Sequence, residues 1–140
     1  MENTRFFERN NLMLGLVIVG LVFWLAGVQR QPAVPEISVG DAATAIARGA
    51  TVIDVRERHA YEKGHISGAV SVPLDELRRR AAEFAAAREK EYIIYCGNGS
   101  NLGPQGTRAL TEAGHPATRN LPGGYSGWQA AGQPVASGAR

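Results

Sequence analysis

Tyr92-Ile93-Ile94-Tyr95-Cys96-Gly97-Asn98-Gly99-Ser100-Asn101-Leu102-Gly103-Pro104 contains a strand, a turn and the start of a helix. The β-branched and aromatic run 92–95 reads as a short buried strand. Gly97, Asn98, Gly99, Ser100, Asn101, Leu102 and Gly103 carry no charge, and Pro104 suits the first turn of a helix. A thiol on such a turn lies where loop amides and the positive end of a helix dipole stabilise a thiolate. Such surroundings bring a cysteine pKa from about 8.5 towards neutrality. The competing reading is a buried structural thiol, the commoner fate of an unpaired cysteine. Cys96 is the single cysteine of the chain, and three of the eight residues from Cys96 to Gly103 are glycine. A packed core position needs no such backbone freedom, so the reading favoured here is a solvent-accessible nucleophile.

Outward from that turn, strand and helix signals alternate. Upstream lie a brief strand at Glu36-Ile37-Ser38, a helix over Asp41–Arg48 stopped by Gly49, and the apolar strand Thr51–Val55. Ala69–Val72 is a further strand, ended by Pro73, and Asp75 is placed to cap a helix that runs, with a break, to Glu89. Downstream, the helix after Cys96 ends at Gly114 and Thr118–Leu121 is the last strand. Gly123-Gly124 is a turn, and Ser126–Ala131 is a closing helix stopped by Gly132. This alternation predicts an α/β domain with a mostly parallel sheet. Ligands of such sheets bind at the carboxyl ends of the strands, where Asp54 and Cys96 both fall.

The 140 residues suffice for one ordinary domain, and an apolar content of 44% with 20% charged residues describes a globular chain with an apolar addition. That addition is the run from Leu12 to Val28, seventeen residues without a charge. As a helix it would reach about 26 Å, slightly short of a hydrocarbon core of about 30 Å. Asn10, Asn11 and Gln29 bracket it, and Trp24 stands near one end. A cleaved signal peptide is the competing reading, but Leu25 is a poor residue for the small-x-small site before Gly27. The organisation expected is an N-terminal flank 1–11, a transmembrane helix 12–28, a linker 29–36, a domain 37–135 and a tail 136–140. Arg5, Arg9 and the amino terminus precede the span, and Arg30 lies just beyond it. That excess of one side chain favours a cytoplasmic N-terminus and a periplasmic or otherwise extracytoplasmic domain, and leaves the cytoplasmic face open.

A net charge of +2 and a pI near 9.0 with scattered basic residues give no footprint for nucleic acid. The one cluster, Arg78-Arg79-Arg80, reads as a solvated helix face. His59, His65 and His115 stand apart, without metal-ligand spacing, and no cofactor motif is present.

Four segments together resemble the single-domain rhodaneses, the thiosulfate sulfurtransferase-like proteins. They are Val52-Ile53-Asp54-Val55-Arg56-Glu57, Tyr61-Glu62-Lys63-Gly64-His65-Ile66-Ser67-Gly68-Ala69, Ile93-Ile94-Tyr95-Cys96 and Leu121-Pro122-Gly123-Gly124-Tyr125-Ser126-Gly127-Trp128. They occur in the family's order and at close to its spacing. The resemblance implies a small three-layer α/β fold, with helices flanking a central mostly parallel sheet and the N-terminal helix outside the family core. It also implies that Cys96 accepts sulfane sulfur as a persulfide. The expected partners are a small sulfur-containing donor (thiosulfate, a persulfide or a polysulfide) and a thiol acceptor, with no cofactor and no metal.

In this reading the amides of Gly97 to Gly103 cradle the sulfur, and Asp54 anchors the loop by resemblance or is simply a strand-end turn residue. Arg56 and Glu57 form an ion-pair network, His65 orients a loop between Gly64 and Gly68, and Trp128 packs in the core. One departure stands out. The family's loop runs Cys-x-x-Gly-x-Arg-Ser, and here Gly99 keeps its place while Asn101 and Leu102 replace the Arg and the Ser. Related Cys-x5-Arg phosphatases and arsenate reductases would need an arginine at Leu102 to clamp a tetrahedral oxyanion, so that chemistry is disfavoured. The alternative from another class is a non-catalytic rhodanese-like binding module tethered to the membrane.

Overall fold

The structure, a computed structural model, describes residues 14–21 and 33–139. The chain divides into two units, Met1–Ala33 and Val34–Arg140. In the first, residues 14–21 form a helix, α1, whose Leu14, Leu16, Val17, Ile18, Val19 and Leu21 are all exposed. Among the described residues no helix is long and apolar enough to cross a membrane. The flank 1–11, the rest of the expected span (12–13 and 22–28) and linker residues 29–32 lie outside the described residues.

In the second unit the elements run α2 (Val39–Ala47), β1 (Thr51–Asp54), α3 (Arg58–Lys63), β2 (His65–Ile66), β3 (Val70–Ser71), α4 (Leu74–Arg79) and α5 (Ala81–Ala86). They continue with β4 (Tyr92–Tyr95), α6 (Leu102–Glu112), β5 (Thr118–Asn120), α7 (Gly124–Ala130) and β6 (Val135–Ala136). Four strands make one parallel sheet in the order β3-β1-β4-β5, with Ile53 beside Ile94 and Asp54 beside Tyr95. All four residues of β4 are buried, because helices cover both faces of the sheet; such a strand needs no polar alternation.

Alternate side chains on a strand face opposite ways, and the core divides accordingly. Val52, Ile93 and Tyr95 pack with Ala42 and Ala45 of α2, Tyr61 of α3 and Trp128 of α7. Ile53, Val55, Tyr92, Ile94 and Cys96 pack with Leu74 and Leu77 of α4 and Leu110 of α6. The expected three layers and mostly parallel sheet are therefore present.

Several boundaries differ from the sequence reading. Glu36–Ser38 is not a strand: Glu36 makes a single bridge to Asn120, and Ile37 N donates to Asn120 O at 2.9 Å. Helix α2 starts earlier than Asp41 because Ser38 caps it, its Oγ accepting from Asp41 N at 3.1 Å. Asp75 does not cap α4. Pro73 occupies that position, and Asp75 lies in the first turn, where its charge suits the helix dipole. Helix α7 starts at Gly124, because Gly123 in the left-handed region turns the chain directly into it. The short α3 and the antiparallel pair β2–β6 have no counterpart in the sequence reading, since two-residue strands leave no periodicity to read.

The second unit closes both faces of its sheet with its own residues. A chain beginning at Pro32 is therefore expected to be monomeric and soluble without detergent and to melt in one cooperative transition. Circular dichroism and sedimentation check this, and an aggregated or non-cooperative product would place the boundary elsewhere.

Candidate active site around Cys96

Cys96 comes directly after β4 and belongs to the face that packs on α4 and α6. Its side chain is part of the core, with the residue 3% exposed, which corrects the expectation of an open thiol. The physical reason is the path of the chain beyond the loop. Helix α6 begins at Leu102 and folds back over the strand end, so that a Cβ on Gly103 would lie 3.6 Å from Cys96 N. Leu102, Leu74 and Leu77 join the cluster that contains the thiol.

The loop between strand and helix is held from behind by the Gly123-Gly124 turn. Tyr125 N donates to Cys96 O at 2.8 Å, and Ser126 N donates to Gly97 O at 2.9 Å. Gly124 has φ +54°, and a Cβ there would overlap the Cys96 carbonyl oxygen and lie 2.7 Å from Gly99 N. Gly99 has φ +76°, and a Cβ there would overlap Gly123 N and lie 2.8 Å from Leu121 O. At both positions only glycine meets the backbone angle and the close approach. Within the loop, Asn98 Oδ1 accepts from Ser100 N at 3.2 Å and from Ser100 Oγ at 2.8 Å, an Asx turn. Asn101 stands at the helix start without capping it; its Oδ1 accepts from Gln105 Nε2 at 2.6 Å.

Asp54 and Arg56 meet at the adjacent strand end. Asp54 is fully buried, and its carboxylate accepts from Arg56 N at 3.0 Å, from Arg56 Nε at 3.0 and 3.1 Å, and from Arg56 Nη2 at 2.6 Å. The same Nη2 donates to Gly64 O at 2.7 Å, and the guanidinium lies 4.7 Å over the Tyr125 ring. Burial opposes the arginine's charge, but the hydrogen bonds and charge of Asp54 outweigh it and hold the Arg56 pKa above its ordinary value. Burial, followed by the charge of Asp54, pushes the Tyr95 hydroxyl up as well. Tyr95 therefore stays neutral and accepts from Ile66 N at 3.1 Å. Arg56 reaches the loop through its stem: its Cδ is 4.0 Å from the position of a Cβ on Gly97.

The sequence-predicted residues therefore divide. Residues 97–103 form the segment between Cys96 and α6, of which Leu102 and Gly103 pack near Cys96, and the stem of Arg56, held by Asp54, reaches Gly97. Glu57 is an exposed residue ahead of α3, and the ion pair at that corner joins Arg58 to Glu76 at 2.8 Å. His65 is a buried strand residue rather than part of a loop; its ring stacks on Tyr61 at 3.7 Å, and its Nδ1 pairs with Tyr61 O at 2.8 Å. Trp128 is core, donating Nε1 to Pro134 O at 2.9 Å.

Sequence reasoning missed Asn120. It is fully buried at the end of β5, with Nδ2 3.5 Å from Gly99 O and Oδ1 unpartnered against Gly103. A polar residue closing a buried strand was its only sequence signal. The arginine cluster is likewise more than a solvated face. Arg80 pairs with Glu76 at 2.9 Å and with Glu83 at 2.8 Å, and Arg78 Nη2 donates to Gln105 Oε1 at 2.5 Å.

Comparison with known proteins agrees with this geometry. Residues 38–131 match the family model described as a rhodanese-like domain. The chain is 37% identical over 90 residues to an HTH-type transcriptional regulator of Mycobacterium tuberculosis, covering 64% of this chain and 38% of the regulator. It is 32% identical over 71 residues to the thiosulfate sulfurtransferase PspE of Escherichia coli, covering 51% of this chain and 67% of that protein. The crystal structure of a thiosulfate sulfurtransferase from Pseudomonas aeruginosa superposes with a TM-score of 0.68 at 31% identity, covering 76% of this chain and 21% of that one. The chain thus spans well under half the length of the regulator and of the Pseudomonas protein.

Two glycines of similar φ separate crowding from backbone strain. Gly132 has φ +69° with nothing within 4 Å of a Cβ, whereas Gly124 is closed in by the Cys96 carbonyl. Gly132→Ala is expected to lower stability by about 1 kcal/mol, and Gly124→Ala by roughly 3 kcal/mol with slower alkylation of Cys96. Urea denaturation and thiol labelling measure both, and equal costs would dismiss the contact as the cause. The matched segment includes the Asp54–Arg56 pair, the Cys96 loop and all of α7, and the chain belongs to the family of rhodanese-like domains.

Proposed function

We propose that this rhodanese-like chain is a sulfurtransferase held at a membrane by residues 12–28, carrying sulfane sulfur on Cys96. The observation that carries the reading is the position of the one thiol, between the end of β4 and the first turn of α6, on a loop braced by the Gly123-Gly124 turn. Such a turn favours a sulfur anion through backbone dipoles. The sulfurtransferase names of relatives at about a third identity support the same chemistry.

The transfer is a double displacement. The Cys96 thiolate attacks the outer sulfur of thiosulfate, a new S–S bond forms, and the donor's S–S bond breaks to release sulfite. The Cys96 persulfide remains. An acceptor thiolate then attacks the outer sulfur, leaves as a persulfide and restores the Cys96 thiolate. Electrons balance within each exchange, so no cofactor is needed. The role given to Asp54 is to hold Arg56, and through it Gly64 and Tyr125, around the loop.

The anchor rests on the seventeen uncharged residues from Leu12 to Val28, and the one-residue charge excess favours an extracytoplasmic domain while leaving the cytoplasmic face open. With this anchor the full chain is expected to sediment with membranes and the piece beginning at Pro32 to stay in the supernatant.

A second reading is a non-catalytic docking module. The burial of Cys96 favours it, as does the similarity to a transcriptional regulator. Intact mass decides between the two. After incubation with thiosulfate or inorganic polysulfide, the wild type is expected to gain one sulfur atom and Cys96→Ala none. No gain from either donor would leave the docking module as the function.

The neutral loop also bears on the choice of donor. A guanidinium in the loop would add charge-assisted hydrogen bonds worth roughly 1.5–3 kcal/mol to the sulfonate end of thiosulfate. The wild type is therefore expected to show a high thiosulfate KM and to prefer persulfide or polysulfide. Asn101→Arg is expected to lower the thiosulfate KM about tenfold or more at exposed Asn101; Leu102 packs in the core and is the wrong position for the test. A micromolar thiosulfate KM in the wild type would refute this.

A further inference from the structure

We infer that Arg78 is the specificity-determining cation of this site, held at the exit of the Cys96 loop to attract the anionic end of the sulfur donor. The inference rests on the sulfurtransferase reading and names the residue that the loop itself lacks.

Residues 97–103 are neutral, and the nearby Arg56 is turned inward on Asp54, Gly64 O and the Tyr125 ring. Arg78 comes from α4, which packs along α6: a Cβ on Gly106 would lie 3.2 Å from Leu77 Cδ2. Leu77, its neighbour in the chain, shares the core cluster of Cys96. From there the guanidinium donates Nη2 to Gln105 Oε1 at 2.5 Å, while Gln105 Nε2 donates to Asn101 Oδ1 at 2.6 Å. Asn101 is the loop position where the family carries arginine. The tether therefore ties a positive charge from another helix to the position where the resemblance expects one.

The side chain of Arg78 is 49% exposed, so it keeps N–H donors towards solvent. Asp75, 3.8 Å from Nη1 and 85% exposed, is the one carboxylate paired with it among the described residues and offsets the charge only in part. A half-exposed guanidinium on a tether acts mainly on encounter and on KM, and its effect weakens with salt.

Thiosulfate and benzenethiosulfonate test this directly. Both give up an outer sulfur to the thiolate with cleavage of one S–S bond, releasing sulfite or benzenesulfinate, but thiosulfate carries one more negative charge. With the full chain, Arg78→Ala is expected to raise the thiosulfate KM roughly tenfold with kcat unchanged, and to change that of benzenethiosulfonate by about threefold or less. Arg78→Lys is expected to retain part of the preference. Gln105→Glu, which sets a carboxylate against the Arg78 guanidinium and removes the donor to Asn101, is expected to mimic Arg78→Ala, and the salt dependence of thiosulfate kcat/KM is expected to flatten in both. Arg79→Ala removes an equal charge from an exposed neighbour and is the control for general electrostatics. If Arg78→Ala and Gln105→Glu keep the wild-type donor ratio, or change it no more than Arg79→Ala does, the inference is overturned alone. If the wild type takes sulfur from neither donor, the sulfurtransferase reading fails and the inference fails with it.

Discussion

The carbonyl oxygen of Cys96 occupies the space that a side chain on Gly124 would need, and the rest of the site depends on that contact. It brings the end of β4 against the start of α7, so that Tyr125 N and Ser126 N can hold the first two carbonyls of the loop. Nothing polar in the loop side chains could fix its path as firmly, because Asn98, Ser100 and Asn101 bond only to near neighbours in the chain. Two peptide hydrogen bonds and two glycines therefore set where the sulfur sits. A position defined by backbone tolerates variation in the loop's side chains, and this loop departs from its family at Asn101 and Leu102.

The second constraint is the buried Asp54–Arg56 pair. Removing Arg56 would leave the fully buried Asp54 carboxylate without its partner, a loss of about 3–5 kcal/mol. The pair also gathers three separate segments, because the guanidinium bonds Gly64 O and lies over Tyr125. Its charge is consumed in this architecture. In the proposed sulfurtransferase reading, recognition of an anionic donor then falls to groups outside the strand ends, the role inferred for the Arg78–Gln105–Asn101 chain. The same arginine cluster otherwise joins helices: Glu76 receives Arg58 from one side and Arg80 from the other.

The burial of Cys96 has its origin in the same packing. An alternating strand places Tyr92, Ile94 and Cys96 on one face, and that face is covered by α4 and α6.

The amino-acid order alone determined the central strands of the sheet and the positions of their carboxyl ends. Tyr92–Tyr95 and Thr51–Asp54 are legible as buried parallel strands because their apolar runs lack polar alternation, and Gly114 and Gly132 mark helix ends by their freedom of φ. Cys96, Asp54 and the glycine loop could be singled out because nucleophiles at strand ends have a local signature. Tertiary structure decided what local sequence does not encode. The burial of the thiol, the unpartnered Asn120 amide oxygen against Gly103, the bond from Ile66 N to the Tyr95 hydroxyl and the reach of Arg78 to Gln105 each join residues distant in the chain or depend on which face a helix covers. Propensity and periodicity act over a few residues, whereas these contacts are fixed by how helices pack across a finished sheet.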